Sequence, residues 1–77
     1  MKNLKTLIQD YNFDHSNTYF EMIINSYFNG QMSQAKEQFN DMDNIGKREF
    51  MSYVMFMDLL PKDVKNITLL FINEILK

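Results

Sequence analysis

The chain has 77 residues, a formal charge of -2, no cysteine, no tryptophan, one histidine, seven methionines, seven phenylalanines and four tyrosines. That length predicts one small domain over residues 1–77 that buries only about 60% of its unfolded surface, so its stability is expected to be marginal. Disulfides are excluded, a structural zinc has too few ligands, and the near-neutral, interspersed charge lacks the basic footprint of a nucleic-acid binder.

The remaining means of stabilising so small a chain are tight helix packing and self-association. Absence of cysteine fits a cytoplasmic protein. No run of about 20 apolar residues predicts a membrane span, and no apolar stretch after Lys2 and Lys5 suggests a signal peptide.

Helical spacing runs through the whole chain. Leu4, Leu7, Ile8 and Tyr11 form the stripe of a first helix, which the turn formers of residues 12–17 end. A second helix is expected to begin between Ser16 and Thr18. Thr18 and Glu21 have the spacing of a capping box. Phe20, Ile23, Ile24, Tyr27 and Phe28 are its expected buried stripe, and Asn29-Gly30 its end, since glycine takes the left-handed conformation without strain.

Ser33 is the expected cap of a short third helix reaching about Met42. It buries Ala35, Phe39 and Met42 and leaves Gln34, Lys36, Glu37, Gln38 and Asn40 solvated. Asp43 or Asn44 caps the fourth helix, with Ile45 expected to pack back on the third. Phe50, Tyr53, Val54 and Met57 form the fourth helix's core stripe; Met51, Met55 and Phe56 fall largely outside it. Pro61 suits the first turn of a fifth helix and pushes Leu60 out of the helical region. Val64, Ile67, Leu70, Phe71, Glu74 and Ile75 share one side of that helix, and Leu69, Ile72 and Leu76 another. The predicted fold is therefore all-α, a compact bundle of four to five short helices.

Residue types that carry chemistry are scarce. Asp41, Asp43 and Gly46 imitate positions 1, 3 and 6 of a calcium loop, but Ile45 stands where an oxygen ligand is required and Ser52 where a bidentate glutamate is. His15 sits between Asp14 and Ser16; neighbours in a loop diverge, whereas an acid–base relay needs convergence. An enzyme would need Asp14, His15 and Glu21 in one cleft. No phosphate loop is present, because Gly30 and Gly46 lie far apart and Lys47 is followed by Arg48. The sequence accordingly predicts no catalytic residue, no metal and no cofactor.

A helix-turn-helix over residues 33–57 is the alternative reading. Ala35 and Ile45 have suitable spacing, yet Phe39 stands where the turn glycine belongs. The second helix opens with Lys47, Arg48 and Glu49 and then turns apolar, against the polar face that reading DNA requires. DNA binding would need Lys36, Lys47, Arg48, Lys62 and Lys65 on one face.

Most of the methionines fill gaps in a small core. The last two helices nevertheless have more apolar faces than a lone subunit is expected to cover, and large exposed apolar patches mark interfaces. Met51, Met55 and Phe56, or Leu69, Ile72 and Leu76, are the expected contacts with another chain. Glu37, Asp41, Asp43 and Glu49 are the candidates for an acidic rim that meets a basic surface.

The segment 26–39, Ser-Tyr-Phe-Asn-Gly-Gln-Met-Ser-Gln-Ala-Lys-Glu-Gln-Phe, followed by Phe50, resembles small helical proteins of phages and mobile elements of low-GC bacteria. The abundance of Asn, Ile, Lys, Phe and Met beside a single alanine, Ala35, agrees with an AT-rich coding source. The resemblance implies an origin and no site residues. The expected function is a non-enzymatic protein–protein interaction module, self-associating as a homodimer. A phage-type origin would make it an inhibitor of a host or defence protein.

Overall fold

A computed structural model describes residues 1–76. Five helices follow one another: α1 (Leu4–Asp10), α2 (Ser16–Phe28), α3 (Met32–Asn40), α4 (Asn44–Phe56) and α5 (Pro61–Ile75). The described residues form no strand. An isolated parallel bridge joins Lys2 to Met42, with the Lys2 N–H donating to the Asp41 carbonyl at 2.8 Å and the Asp43 N–H to the Lys2 carbonyl at 2.9 Å. It ties the start of the chain to the α3–α4 connection.

The helix ends follow from local chemistry. Asn3 Oδ1 accepts the Thr6 N–H at 2.8 Å and starts α1. Past its end, Asn12 is left-handed at φ 58°, a conformation asparagine tolerates better than most residues. Phe13 N–H then donates to the Ile8 carbonyl and Asn12 N–H to that of Gln9, the paired bonds of a Schellman ending. The end of α2 repeats this pattern. Gly30 has φ 77°, Gly30 N–H donates to the Tyr27 carbonyl, and Gln31 N–H to that of Ser26.

Asp43 caps α4 through its Oδ1, which accepts the Gly46 N–H at 2.9 Å. Leu60 is extended (φ -62°, ψ 141°) and Pro61 opens α5, where its missing N–H loses no helix bond. Asp63 in the first turn of α5 favourably meets the positive end of the helix dipole.

Two expected caps do not form. His15, whose side chain makes no capping bond, precedes α2, so Thr18 is already the third residue of the helix and no capping box closes. Glu21 turns elsewhere and accepts the Tyr53 hydroxyl at 3.2 Å. Ser33 likewise lies inside α3, which starts at Met32 behind the Schellman turn with Gln31 at its cap position.

Phe39, Phe50 and Phe71, from three helices, meet at the centre. Their ring centroids are 5.6 Å apart for Phe39–Phe50, 4.6 Å for Phe39–Phe71 and 5.2 Å for Phe50–Phe71. Phe20 of α2 adds an edge contact to Phe50 at 5.7 Å. Such ring pairs contribute about 0.5–1.5 kcal/mol beyond area burial. Tyr19, Ile23, Met42, Val54 and Ile67 are the other large side chains that are fully buried.

The joint between α2 and α3 is also polar. The Tyr19 hydroxyl donates to the Gln38 carbonyl at 2.6 Å. Ser26 Oγ lies 3.0 Å from both the Met22 carbonyl and Gln38 Oε1.

Rotation of individual helices departs from the expected stripes. Tyr19 and Ser26 are buried on α2, Tyr27 is half-buried, and Phe28 is exposed. Gln38, expected in solvent, is buried. Ile45 does not pack back on α3 but faces water, and Lys47 takes the inward position. Ile75 also sits outside the core that Ile67 and Phe71 enter. The accessible surface, 5174 Å², is near the roughly 5,000 Å² expected at this mass. The radius of gyration, 11.6 Å, matches the roughly 11.5 Å of a compact 77-residue chain.

Candidate interaction surface

Inward positions on α4 and α5 recur at helical intervals. Gly46, Lys47, Phe50 and Val54 face the interior from α4, and Ile67, Phe71 and Glu74 from α5. The reverse faces mix polar residues, Arg48, Glu49 and Ser52 on α4 and Lys62, Lys65, Asn66 and Asn73 on α5, with several large apolar ones. Leu69, Ile72 and Leu76 follow one another at three and four residues along the outer side of α5, and all are exposed. At the end of α4, Met55 is 72% exposed and Phe56 91% exposed. Leu60, in the connection to α5, is exposed as well.

The two candidate apolar sets therefore do not divide into one buried and one free. Met55, Phe56, Leu69, Ile72 and Leu76 all reach solvent, while Met51 is half-buried and packs against the core. The reason lies in the chain path. Met57 leaves the helical conformation (ψ 150°) and packs on the core, so the last turn of α4 is left without a neighbour on its outer side.

The four rim acids are not brought together as one group. Glu37 and Glu49 are exposed on different helices. Asp41 is the C-terminal cap residue of α3, and Asp43 is engaged as the α4 cap. Thirteen residues separate Asp43 from Phe56, about 20 Å along a helix, so the caps lie at the far end of α4 from the Met55–Phe56 turn.

Among the cations, Lys47 is withdrawn from solvent. Its residue is only 8% exposed. Its Nζ lies 3.6 Å from Met1 Sδ and 5.7 Å from the centroid of the Phe39 ring. The spacing held the clue: Lys47 is three residues before Phe50 and seven before Val54, on the core stripe. Glu74 is buried too, and its Oε1 accepts from Asn40 Nδ2 at 2.9 Å.

The possible acid–base set does not assemble into a relay. His15 and Asp14 are exposed before α2, and Glu21 pairs with Tyr53 of α4. Burial, then the Glu21 charge and hydrogen bond, hold the Tyr53 hydroxyl above its ordinary pKa. Burial does the same, more strongly, to Tyr19. Neither tyrosine is thereby made a base or nucleophile, because both shifts favour the protonated phenol.

At the N-terminus, Met1, Lys2, Leu7, Asp10, Tyr11 and Asp41 line an open concavity of about 360 Å³. A Lys2–Asp10 ion pair at 2.7 Å stands in its wall, and the Asp10 hydrogen bond and charge raise the Lys2 pKa. Among the described residues no three His, Asp or Glu side chains gather to hold a metal ion, and no helix is long and apolar enough to cross a membrane. No protein-family model, curated protein or solved structure matches this chain.

Proposed function

We propose that this chain is a non-enzymatic protein–protein interaction module that pairs with a second copy of itself through the outer faces of α4 and α5. The observation that carries this reading is the run of exposed apolar residues from Met55 and Phe56 to Leu69, Ile72 and Leu76. Scattered apolar side chains are normal on a surface, but a concentration on two consecutive helices marks an interface. A second copy is the favoured occupant for two reasons. A 77-residue chain without cysteine gains stability by self-association that it cannot gain from disulfides. A formal charge of only -2 sets little long-range repulsion between two copies.

Sedimentation velocity over a wide concentration range tests the pairing. The expected result is a concentration-dependent species near twice the 9.3 kDa chain mass, which Ile72→Glu shifts back to monomer by burying an unpaired charge at the contact. A chain that sediments as a monomer at every concentration overturns the proposal.

The biological role we attach to this module is inhibition of a host or defence protein by occlusion, which requires shape and charge and no catalytic group. Affinity capture from the native host tests that extension: recovery of the chain's own copies alone overturns it. The duplex-DNA reading finds less support. Lys47 is withdrawn beneath Met1 and against Phe39, so the cationic set of Lys36, Lys47, Arg48, Lys62 and Lys65 does not form one exposed face.

A further inference from the structure

The turn between α2 and α3 carries a reactive peptide. Of the asparagines in the chain, only Asn29 is followed by glycine. The order matters, because the nitrogen of the following peptide can attack the asparagine side-chain carbonyl carbon. Glycine, with no Cβ, hinders that approach least and leaves the backbone freest to rotate. Phe28, Asn29, Gly30 and Gln31 are all exposed, and a Cβ placed on Gly30 would meet no atom within 4 Å.

The folded turn holds the two reacting groups apart in two ways. The Gly30 nitrogen must lose its proton to attack, and its N–H donates to the Tyr27 carbonyl at 3.0 Å. Asn29 has φ -81° and ψ 2°. Ring closure needs the Asn29 Cβ eclipsed with the Gly30 nitrogen about the Cα–C bond, and at that ψ the two are about 120° apart. The bond from the Gln31 N–H to the Ser26 carbonyl, 2.9 Å, resists the rotation. Helix ends are nevertheless among the segments that open at the smallest cost in free energy.

We propose that Asn29 is a self-modification site, deamidated through a cyclic imide at a rate set by opening of the α2–α3 turn. Once the turn opens, the deprotonated Gly30 nitrogen bonds to Asn29 Cγ, the Cγ–Nδ2 bond breaks and ammonia leaves. Water then adds to one imide carbonyl, and the ring C–N bond at that carbonyl breaks. Addition at Cγ gives aspartate, and addition at the main-chain carbonyl gives isoaspartate; neither step is a net oxidation or reduction. The aspartate places a negative charge at the negative end of the α2 dipole. The isoaspartate adds a methylene to the main chain, which takes the Gly30 and Gln31 N–H groups out of register with the Tyr27 and Ser26 carbonyls. Ser26 also bonds Gln38 of α3, so the step loosens the adjoining end of the α2–α3 joint. The site stands independently of self-association.

The full chain is incubated in mildly alkaline buffer, folded in one sample and in denaturing urea in another. Peptide mapping by mass spectrometry, with aspartate and isoaspartate peptides separated chromatographically, follows the reaction. Asn29 is expected to convert before any other asparagine in both samples. In the folded chain it is expected to react at least about tenfold more slowly, a ratio that a modest opening free energy supplies. The early product is expected to be absent from Asn29→Gln. The purified isoaspartyl chain is expected to lose amide-exchange protection at Gly30 and Gln31 while the middle of α2 keeps it. Equal rates in the two samples, earlier conversion of another asparagine, an early product that survives in Asn29→Gln, or unchanged protection in the isoaspartyl chain overturns the proposal.

Discussion

The α2–α3 joint and the α4–α5 pair are built from the same kinds of residue and end in opposite states. Where α2 meets α3, apolar contact is reinforced by a buried tyrosine bond to the Gln38 carbonyl and by Ser26 beside Gln38. Between them, Tyr19, Ile23, Ala35 and Phe39 are fully covered. The α4–α5 pair sends Phe50, Val54, Ile67 and Phe71 to the same core, yet leaves Met55, Phe56, Leu69, Ile72 and Leu76 in water. Hydrophobic content therefore does not decide burial. A helix of this bundle has a limited arc that neighbours can cover, and α4 and α5 carry apolar residues beyond it.

The sharpest way to break this contrast is to truncate one phenylalanine from each class. Phe50→Ala, at the meeting point of four rings, is expected to cost about 3–5 kcal/mol by transfer loss and cavity formation. In the dilute monomer Phe56→Ala is expected to stay within about 0.5 kcal/mol of the parent. Urea denaturation of both variants measures the difference, and comparable losses would show that Phe56 is buried in solution.

Tyr19→Phe probes the polar reinforcement of the α2–α3 joint. Removing the hydroxyl strands the Gln38 carbonyl and is expected to cost about 1–3 kcal/mol. The same group sets an alkaline limit. Burial raises the folded-state pKa of Tyr19 above its ordinary 10.0, so the folded chain keeps a proton that the unfolded chain releases. Its contribution is complete below about pH 10 and declines as pH rises toward the folded-state value. Denaturation midpoints should therefore fall with pH above that point, and less steeply in Tyr19→Phe. An unchanged slope would show that the phenol is not protected.

A smaller effect sharpens the other side of the comparison. Asp43→Ala removes the cap that starts α4 and is expected to cost about 1 kcal/mol, measured by thermal unfolding. Amide exchange should quicken first at residues 44–47, leaving the α2–α3 joint protected. Uniform loss of protection across both regions would mean that the two unfold as one unit.

Much of the architecture was readable without coordinates because it is written in adjacent residues. Asn29-Gly30 ends α2, Asp43 starts α4 and Leu60-Pro61 starts α5, each through a bond or dihedral confined to a few positions. The capping box at Thr18 and the cap at Ser33 do not form, since both motifs compete with helix starts fixed a few residues upstream. The candidate surface was legible only as an excess of apolar positions. Its partition between Met51, which packs on the core, and Met55, which does not, required the path of the chain after Phe56.

The sequence by itself determined a bundle of four to five helices, their approximate ends and the aromatic material of the core, because helix periodicity and capping are short-range physics. Only the tertiary structure decided the rotation of each helix. It buried Tyr19 rather than Phe28, and it supplied the cover over Lys47 while leaving Ile45 in water. A residue's burial depends on which neighbours close over it, and those neighbours come from distant parts of the chain. Lys47 gains a ring from α3 and a thioether from Met1, and nothing local to position 47 announces either.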